Sequence, residues 1–340
     1  MNTPSLSSKE FEKTLDIFRD DSSTGELRSE ALPSNEVRRR RPAWVVPTFL
    51  LVTTLLSMTW AGIVAWSPTS ILLQASEEGS LFVVRQHFLA NWYGGLVFAL
   101  SLTAILGAHE LGHYFATRWY KIPSTLPLFI PFPVSPTGTC GAVIMMDGGQ
   151  ADRKQIFDIG IAGPLAGLVF AIPIAIAGLL TGTPPTTTSN SIQFGQPLIV
   201  QVLNAAVHGE GSVRFDWIAN SAMNPMLMAA WVGFLVTGLN MVPVSQLDGG
   251  HVIFGLLGKR SLFVAWLAYA GAAGFVIYSG YRYGQPDFVI MLLLIPLMGI
   301  GHPPSKNDNV SLGLGRSLLG WVSLSIPFLC IPLRPIMLLG

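Results

Sequence analysis

The sequence predicts an all-α polytopic membrane protein: about seven transmembrane helices, with a broken helix and a small re-entrant extended segment. Three observations lead there. Half of the 340 residues are apolar and only 11% are charged, where a soluble globular protein carries about 25% charge. The charge is also crowded, with eight basic and eight acidic side chains in residues 1–42, so that the rest of the chain is almost uncharged. Long apolar runs, punctuated by 35 glycines and 24 prolines, fit membrane helices, where both residues are better tolerated than in soluble ones. The same composition excludes a disordered chain, a collagen and a coiled coil.

Taken in order, residues 1–42 form a polar tail, which reads as solvated with a short amphipathic helix around Phe11 to Phe18. It is too polar for a signal peptide and too acidic for an organelle transit peptide. The run Arg38 to Arg41 sets orientation and can touch anionic lipid heads. A helix needs about 20 apolar residues to cross the hydrocarbon, because every backbone N–H and C=O must be satisfied within it. Seven stretches meet this, at roughly 44–66, 94–117, 157–181, 222–243, 262–281, 287–301 and 317–338, the sixth being short and bounded by proline. Residues 67–93 and 182–216 are then external loops. Residues 249–258 are too short to span and continue a broken helix or hairpin after Pro243. The connection 119–156 is apolar and Pro-rich before it reads GTCGAVIMM, which suggests a partly buried, re-entrant or extended segment.

Placing the N-terminus in the cytoplasm puts 16 basic residues inside and leaves Arg85, Arg214, Arg282 and Arg334 outside, as the positive-inside rule favours. Cys140 and Cys330 then fall on opposite sides of the membrane, so a disulfide framework is not expected. The expected organisation is a cytoplasmic tail (1–42), an anchor and external loop (43–93), a membrane core carrying the motifs described next (94–258) and C-terminal transmembrane helices (259–340).

Ionisable groups inside spanning segments cost several kcal/mol and mark functional sites. Glu110 and Asp248 lie well inside apolar runs, each in a motif. The first reads His109-Glu110-Leu111-Gly112-His113. Positions i and i+4 share a helix face, so both imidazoles can hold one zinc ion while Glu110 reaches a water beside it. Zinc lowers the pKa of such a water towards about 7, and Glu110 can pass its proton to a leaving amine. The alternative is a pair of histidines hydrogen-bonded in a bundle core. A third protein ligand is needed. Asp248, in the stretch Asn240 to His251 (NMVPVSQLDGGH), is the strongest candidate, on irregular backbone freed by Pro243 and Gly249-Gly250. His251 is a competing ligand, and an N-cap role is the alternative for Asp248. The second and fourth spans run in the same direction, so two motifs 139 residues apart arrive at the same depth.

HELGH on one span and N-x-x-P-x-x-x-LDGG on a later one resemble the site-2 proteases, a family of intramembrane zinc metalloproteases. Gly138 to Ile144 is similar to that family's G-T-x-G-A loop, and Phe157 to Gly167 to its F-D-x-x-x-A-G-P-x-A-G helix. His302 to Asp308 resembles the H-P-P-x-x-x-D segment of the cyanobacterial and plastid branch without a PDZ domain, related to the ethylene-dependent gravitropism-deficient and yellow-green proteins. The resemblance covers about residues 86–310. It implies Zn2+ as cofactor, His109, His113 and Asp248 as its ligands, and Glu110 as general base. For Asn240 it implies a part in holding substrate or stabilising the oxyanion, although Asn240 can equally cap the broken helix. It further implies hydrolysis of peptide bonds in or near transmembrane helices, with a transmembrane-helix protein as substrate, the lipid bilayer as surroundings and no nucleic acid. A bacterial cytoplasmic membrane is the expected location. The rival class is a metal transporter or metal-sensing membrane protein using the same ligands.

Overall fold

A computed structural model describes residues 42–182, 192–209, 217–219, 223–244, 246–284, 287–303 and 305–338. The tail, with the helix expected around Phe11 to Phe18, lies outside the described residues. The fold is predominantly helical. Helix α1 (Val45–Ile63) is followed by the short α2 (Pro68–Glu77), with proline in its first turn, and the 38-residue α3 (Phe82–Trp119). A hairpin of β1 (Leu128–Pro131) and β2 (Thr139–Val143) precedes α4 (Arg153–Thr181). Then come β3 (Ile192–Gly195), α5 (Leu198–His208), β4 (Trp217–Ala219), α6 (Pro225–Asn240), α7 (Asp248–Leu257) and α8 (Ser261–Tyr283). The chain closes with α9 (Val289–Met298), α10 (Leu314–Ser323), α11 (Ile326–Cys330) and β5 (Ile336–Leu338).

Local chemistry sets the helix ends. Asp152 and Gln155 form a reciprocal capping box at the start of α4, the Asp152 carboxylate accepting from the Gln155 N–H. Asn224 accepts from the Met226 N–H and Pro225 opens α6. Gly284, in the left-handed region at φ +70°, stops α8. Pro164 and Pro173 sit inside α4 without ending it, which membrane helices allow because neighbouring groups satisfy the freed carbonyls.

Among the described residues, four helices are long and apolar enough to cross a membrane: α1, α3, α4 and the run Asp248–Tyr283, in which α7 and α8 join through a 3-10 turn at Gly258–Arg260. The expected stretch 222–243 is the 16-residue α6. Stretch 287–301 contains the 10-residue α9, with Pro296 near its end, and stretch 317–338 divides into α10, α11 and β5, with Pro327 in the first turn of α11 and Pro335 just before β5. At about 1.5 Å per residue α3 is about 57 Å long, well beyond a hydrocarbon core of about 30 Å. It thus absorbs part of the expected loop 67–93, and α2 takes another part.

Within the expected loop 182–216, the described residues 192–209 carry β3 and the apolar-faced α5. Strand β3 is the centre of a three-stranded antiparallel sheet of order β4-β3-β5, which brings the C-terminal strand onto this region. Trp231 of α6 supports it by donating from Nε1 to the Gly195 carbonyl at 2.7 Å, with its ring edge-on to Phe194.

The extended segment is an antiparallel hairpin, pairing Leu128 with Val143 and Phe129 with Ala142, with an irregularity before Pro131–Thr139. Thr139 Oγ1 donates to the Ile130 carbonyl at 2.8 Å. Gly138, at φ +73°, lies so close to α1 that a Cβ there would be 2.5 Å from the Met58 Cα, and Ser57 donates to the Gly138 carbonyl at 2.6 Å. Cys140, on β2, is exposed. The core gathers where α3, α4, α6 and α7 meet, around fully buried Phe98, Phe157, Phe234, Met228 and Met241.

Candidate metal centre

His109 and His113 lie one turn apart on α3, both buried, and their rings meet edge-on at 4.9 Å. Asp248 comes from 139 residues further on, with only 12% of its side chain exposed. One of its oxygens, Oδ2, is 3.1 Å from His109 Nε2, and Oδ1 is 3.3 Å from His113 Nε2. Among the described residues this is the one group of His, Cys, Asp or Glu that can hold a metal ion, with its ligand atoms within 4.8 Å of one another.

The donor set fits a metal. His113 Nδ1 lies 2.8 Å from the Ile159 carbonyl of α4, so the proton of a neutral ring sits on Nδ1 and Nε2 presents a lone pair. That lone pair faces an acceptor-only carboxylate oxygen. A cation between them removes the clash, and a second-shell carbonyl orienting the ring is the usual support for a metal-bound histidine. Glu110, one residue along and buried, faces the backbone N–H of Ile144 just beyond β2.

Three α4 glycines let the helices approach. A Cβ at Gly163 would lie 2.1 Å from His113 Nε2, one at Gly167 would lie 3.2 Å from His109 Nδ1, and one at Gly160 would lie 2.5 Å from the His251 Cβ. From the other side, a Cβ at Gly112 of α3 would lie 2.6 Å from the Ala162 carbonyl. The small-residue spacing at Gly163 and Gly167 is therefore a packing face pressed against the two imidazoles.

Asp248 is not on irregular backbone as expected. It is the first helical residue of α7 and Leu247 is the N-cap. Pro243 does interrupt the chain, but the turns at 241–244 and 246–247 are short and α7 starts at once. Gly249 serves proximity, since a Cβ there would lie 2.1 Å from the Met241 carbonyl. The competing ligand His251 lies outside the metal group, with its Nδ1 2.7 Å from His302 Nε2. Asn240 is the half-buried last residue of α6, with Met241 as its C-cap. His87 and His208 are also outside the group, facing the Val83 carbonyl and the Asn204 Oδ1.

Sequence reasoning missed the framework around the centre. Arg153 donates from Nε to the Gly255 carbonyl at 2.8 Å and from Nη2 to the Leu256 carbonyl at 2.9 Å, satisfying the C-terminal end of α7. Asp158 receives both Nε and Nη2 of Arg316 and the hydroxyl of Tyr120, tying α3, α4 and α10 together. An acid one turn into an apolar helix was the available signal for Asp158.

Fold and site together define a helical membrane protein with a buried cluster of two histidines and one carboxylate that can hold a metal ion. The family model described as "Peptidase family M50" matches residues 97–278, more than half of the chain. The chain belongs to peptidase family M50. It is 34% identical over 171 residues to "Probable zinc metalloprotease EGY1, chloroplastic" of Oryza sativa subsp. japonica, which covers 48% of this chain and 28% of that protein. To the Arabidopsis thaliana protein of the same description it is 28% identical over 234 residues, covering 67% and 41%. To "Probable zinc metalloprotease EGY2, chloroplastic" of Arabidopsis thaliana it is 28% identical over 245 residues, covering 70% and 42%. The chain thus spans less than half the length of these curated relatives. Their names agree with a zinc-type donor set at His109, His113 and Asp248.

Proposed function

We propose that this chain is an intramembrane zinc endopeptidase that hydrolyses peptide bonds in or near the transmembrane segments of other membrane proteins. The observation that carries the reading is the convergence of His109, His113 and Asp248 beside the buried Glu110, inside apolar helices. His109, His113 and Asp248 are the zinc ligands. Zinc, when bound, supplies a Lewis acid that polarises a carbonyl and makes water acidic near neutral pH. Glu110 takes the proton of the attacking water and delivers it to the leaving amine. Asn240 supplies an amide donor to the developing oxyanion.

A substrate helix must unwind before its carbonyl is accessible. We assign its extended form to the β1–β2 hairpin, as an added strand paired by main-chain hydrogen bonds. Support comes from Ile144, which directly follows β2 and whose amide faces Glu110. Seven crossings in a bacterial membrane, with the tail on its cytoplasmic side, belong to the same proposal; the count rests on the lengths of the apolar stretches and the orientation on the distribution of basic residues.

The test is co-expression with a tagged single-span substrate library. Glu110→Gln is expected to lower cleavage by at least about 100-fold while metal content survives, whereas Asp248→Ala loses both. Cleavage that persists in both variants sinks this assignment. Metal flux that tolerates Glu110→Gln would instead mark a transporter.

A further inference from the structure

The segment His302 to Asp308 lies beyond the family match, and nothing in the proposed chemistry uses it. It nevertheless grips both ends of α7. At the first turn, His302 Nε2 lies 2.7 Å from His251 Nδ1, and the His302 ring stacks on buried Phe254, with centroids 4.1 Å apart and planes 7° from parallel. At the last turn, Arg153, which donates to the Gly255 and Leu256 carbonyls, also reaches the Asp308 carbonyl at 3.4 Å. Two backbone bonds fasten the segment to the start of α4, from the Lys306 N–H to the Ala151 carbonyl and from the Arg153 N–H to the Asn307 carbonyl.

The direction of the histidine bond follows from its neighbours. His302 Nδ1 faces the Pro303 carbonyl, so it carries the proton. His302 Nε2 is then the acceptor and His251 Nδ1 the donor. His251 is three residues after Asp248, in the same helical turn, and its Cβ lies against Gly160 of α4. Asp248 itself is the first residue of its helix, where the backbone lacks intrahelical partners. Its aim therefore depends on what clamps that first turn.

We propose that His302 is a positioning residue for the metal centre, fixing through His251 the first turn of α7 and hence the direction in which Asp248 presents its carboxylate. The inference rests on His109, His113 and Asp248 being the metal ligands. Groups that hydrogen-bond a ligand directly are worth about 10–100-fold in metal affinity, and His302, one residue further out, is expected at the lower end.

The experiment uses the full chain purified in detergent, with zinc affinity measured against a competing chelator and Co2+ as a spectroscopic probe of ligand geometry. His302→Phe keeps the stacking on Phe254 and removes the acceptor, while His302→Gln keeps an acceptor near the Nε2 position. His302→Phe is expected to weaken zinc binding about tenfold and to shift the visible Co2+ bands, with metal-free melting lowered by no more than the loss of one hydrogen bond. His302→Gln is expected to restore both affinity and spectrum. If His302→Phe fails to fold, His251→Ala removes the donor instead and carries the same expectation. Wild-type affinity and spectrum in the folded variant, with metal lost in Asp248→Ala, overturn the positioning role and leave the ligand assignment standing. A wild-type chain that binds no zinc overturns both.

Discussion

Helices α4 and α8 both carry glycines at short intervals in apolar sequence, yet the glycines do different things. In α4, Gly160, Gly163 and Gly167 are each in close contact with a neighbour, and two of those neighbours are the imidazoles of the metal centre. In α8, a Cβ at Gly271 or Gly274 would meet no atom within 4 Å, and Phe263, Ile277 and Tyr281 of the same helix are largely exposed. In a bilayer, exposed apolar side chains face lipid at no cost, so a helix can be apolar all round without being packed. The presence of small residues therefore does not identify an interface. What identifies one is the neighbour whose approach they allow.

Four substitutions test this contrast, from the largest effect to the smallest. Gly163→Ala puts a methyl group where His113 Nε2 sits, and metal content and cleavage are both expected to vanish. Retention of stoichiometric zinc would break the claim that α4 defines the site. Gly160→Ala presses on the His251 Cβ and is expected to cost about 1–3 kcal/mol, as overpacking does, read as a lower melting temperature in detergent. Asp158→Asn weakens a partly exposed ion pair with Arg316, and about 1 kcal/mol or less is expected because solvent screens it. Gly271→Ala is expected to leave activity unchanged and melting equal or slightly raised, since alanine favours a helix by up to about 1 kcal/mol. Damage from Gly271→Ala comparable to that from Gly163→Ala would show that α8 has a partner after all.

The cluster that can hold a metal was legible because its parts obey local rules. The spacing of His109 and His113 fixes a shared helix face, and a lone acid in an apolar run, Asp248, stands out by its cost. Counting spans placed the two motifs at one depth; their side chains do meet, although the fourth expected span is only the 16-residue α6. Pro243 led the sequence reading to place Asp248 on irregular backbone, because a proline marks a break without saying how soon the next helix begins. Residues 182–216 read only as an external loop because the strand within it, β3, is only four residues long and its partner β5 comes more than a hundred residues later. His251 and His302 were each visible as histidines, but no periodicity links residues on opposite sides of two intervening helices. The same holds for Arg153, whose task is to cap a helix it does not belong to.

Helix α1 lies outside the matched span 97–278, but the tip of the hairpin is mounted on it. Gly138 rests against Met58, Ser57 holds the Gly138 carbonyl, and Gly62 packs against Gly95 of α3. The evolutionary unit and the mechanical unit of this protein therefore have different boundaries. A fragment cut at residue 97 would keep the two histidines, Glu110 and Asp248 while removing the wall that holds the strand beside them. In such a fragment, metal binding and substrate handling would part company.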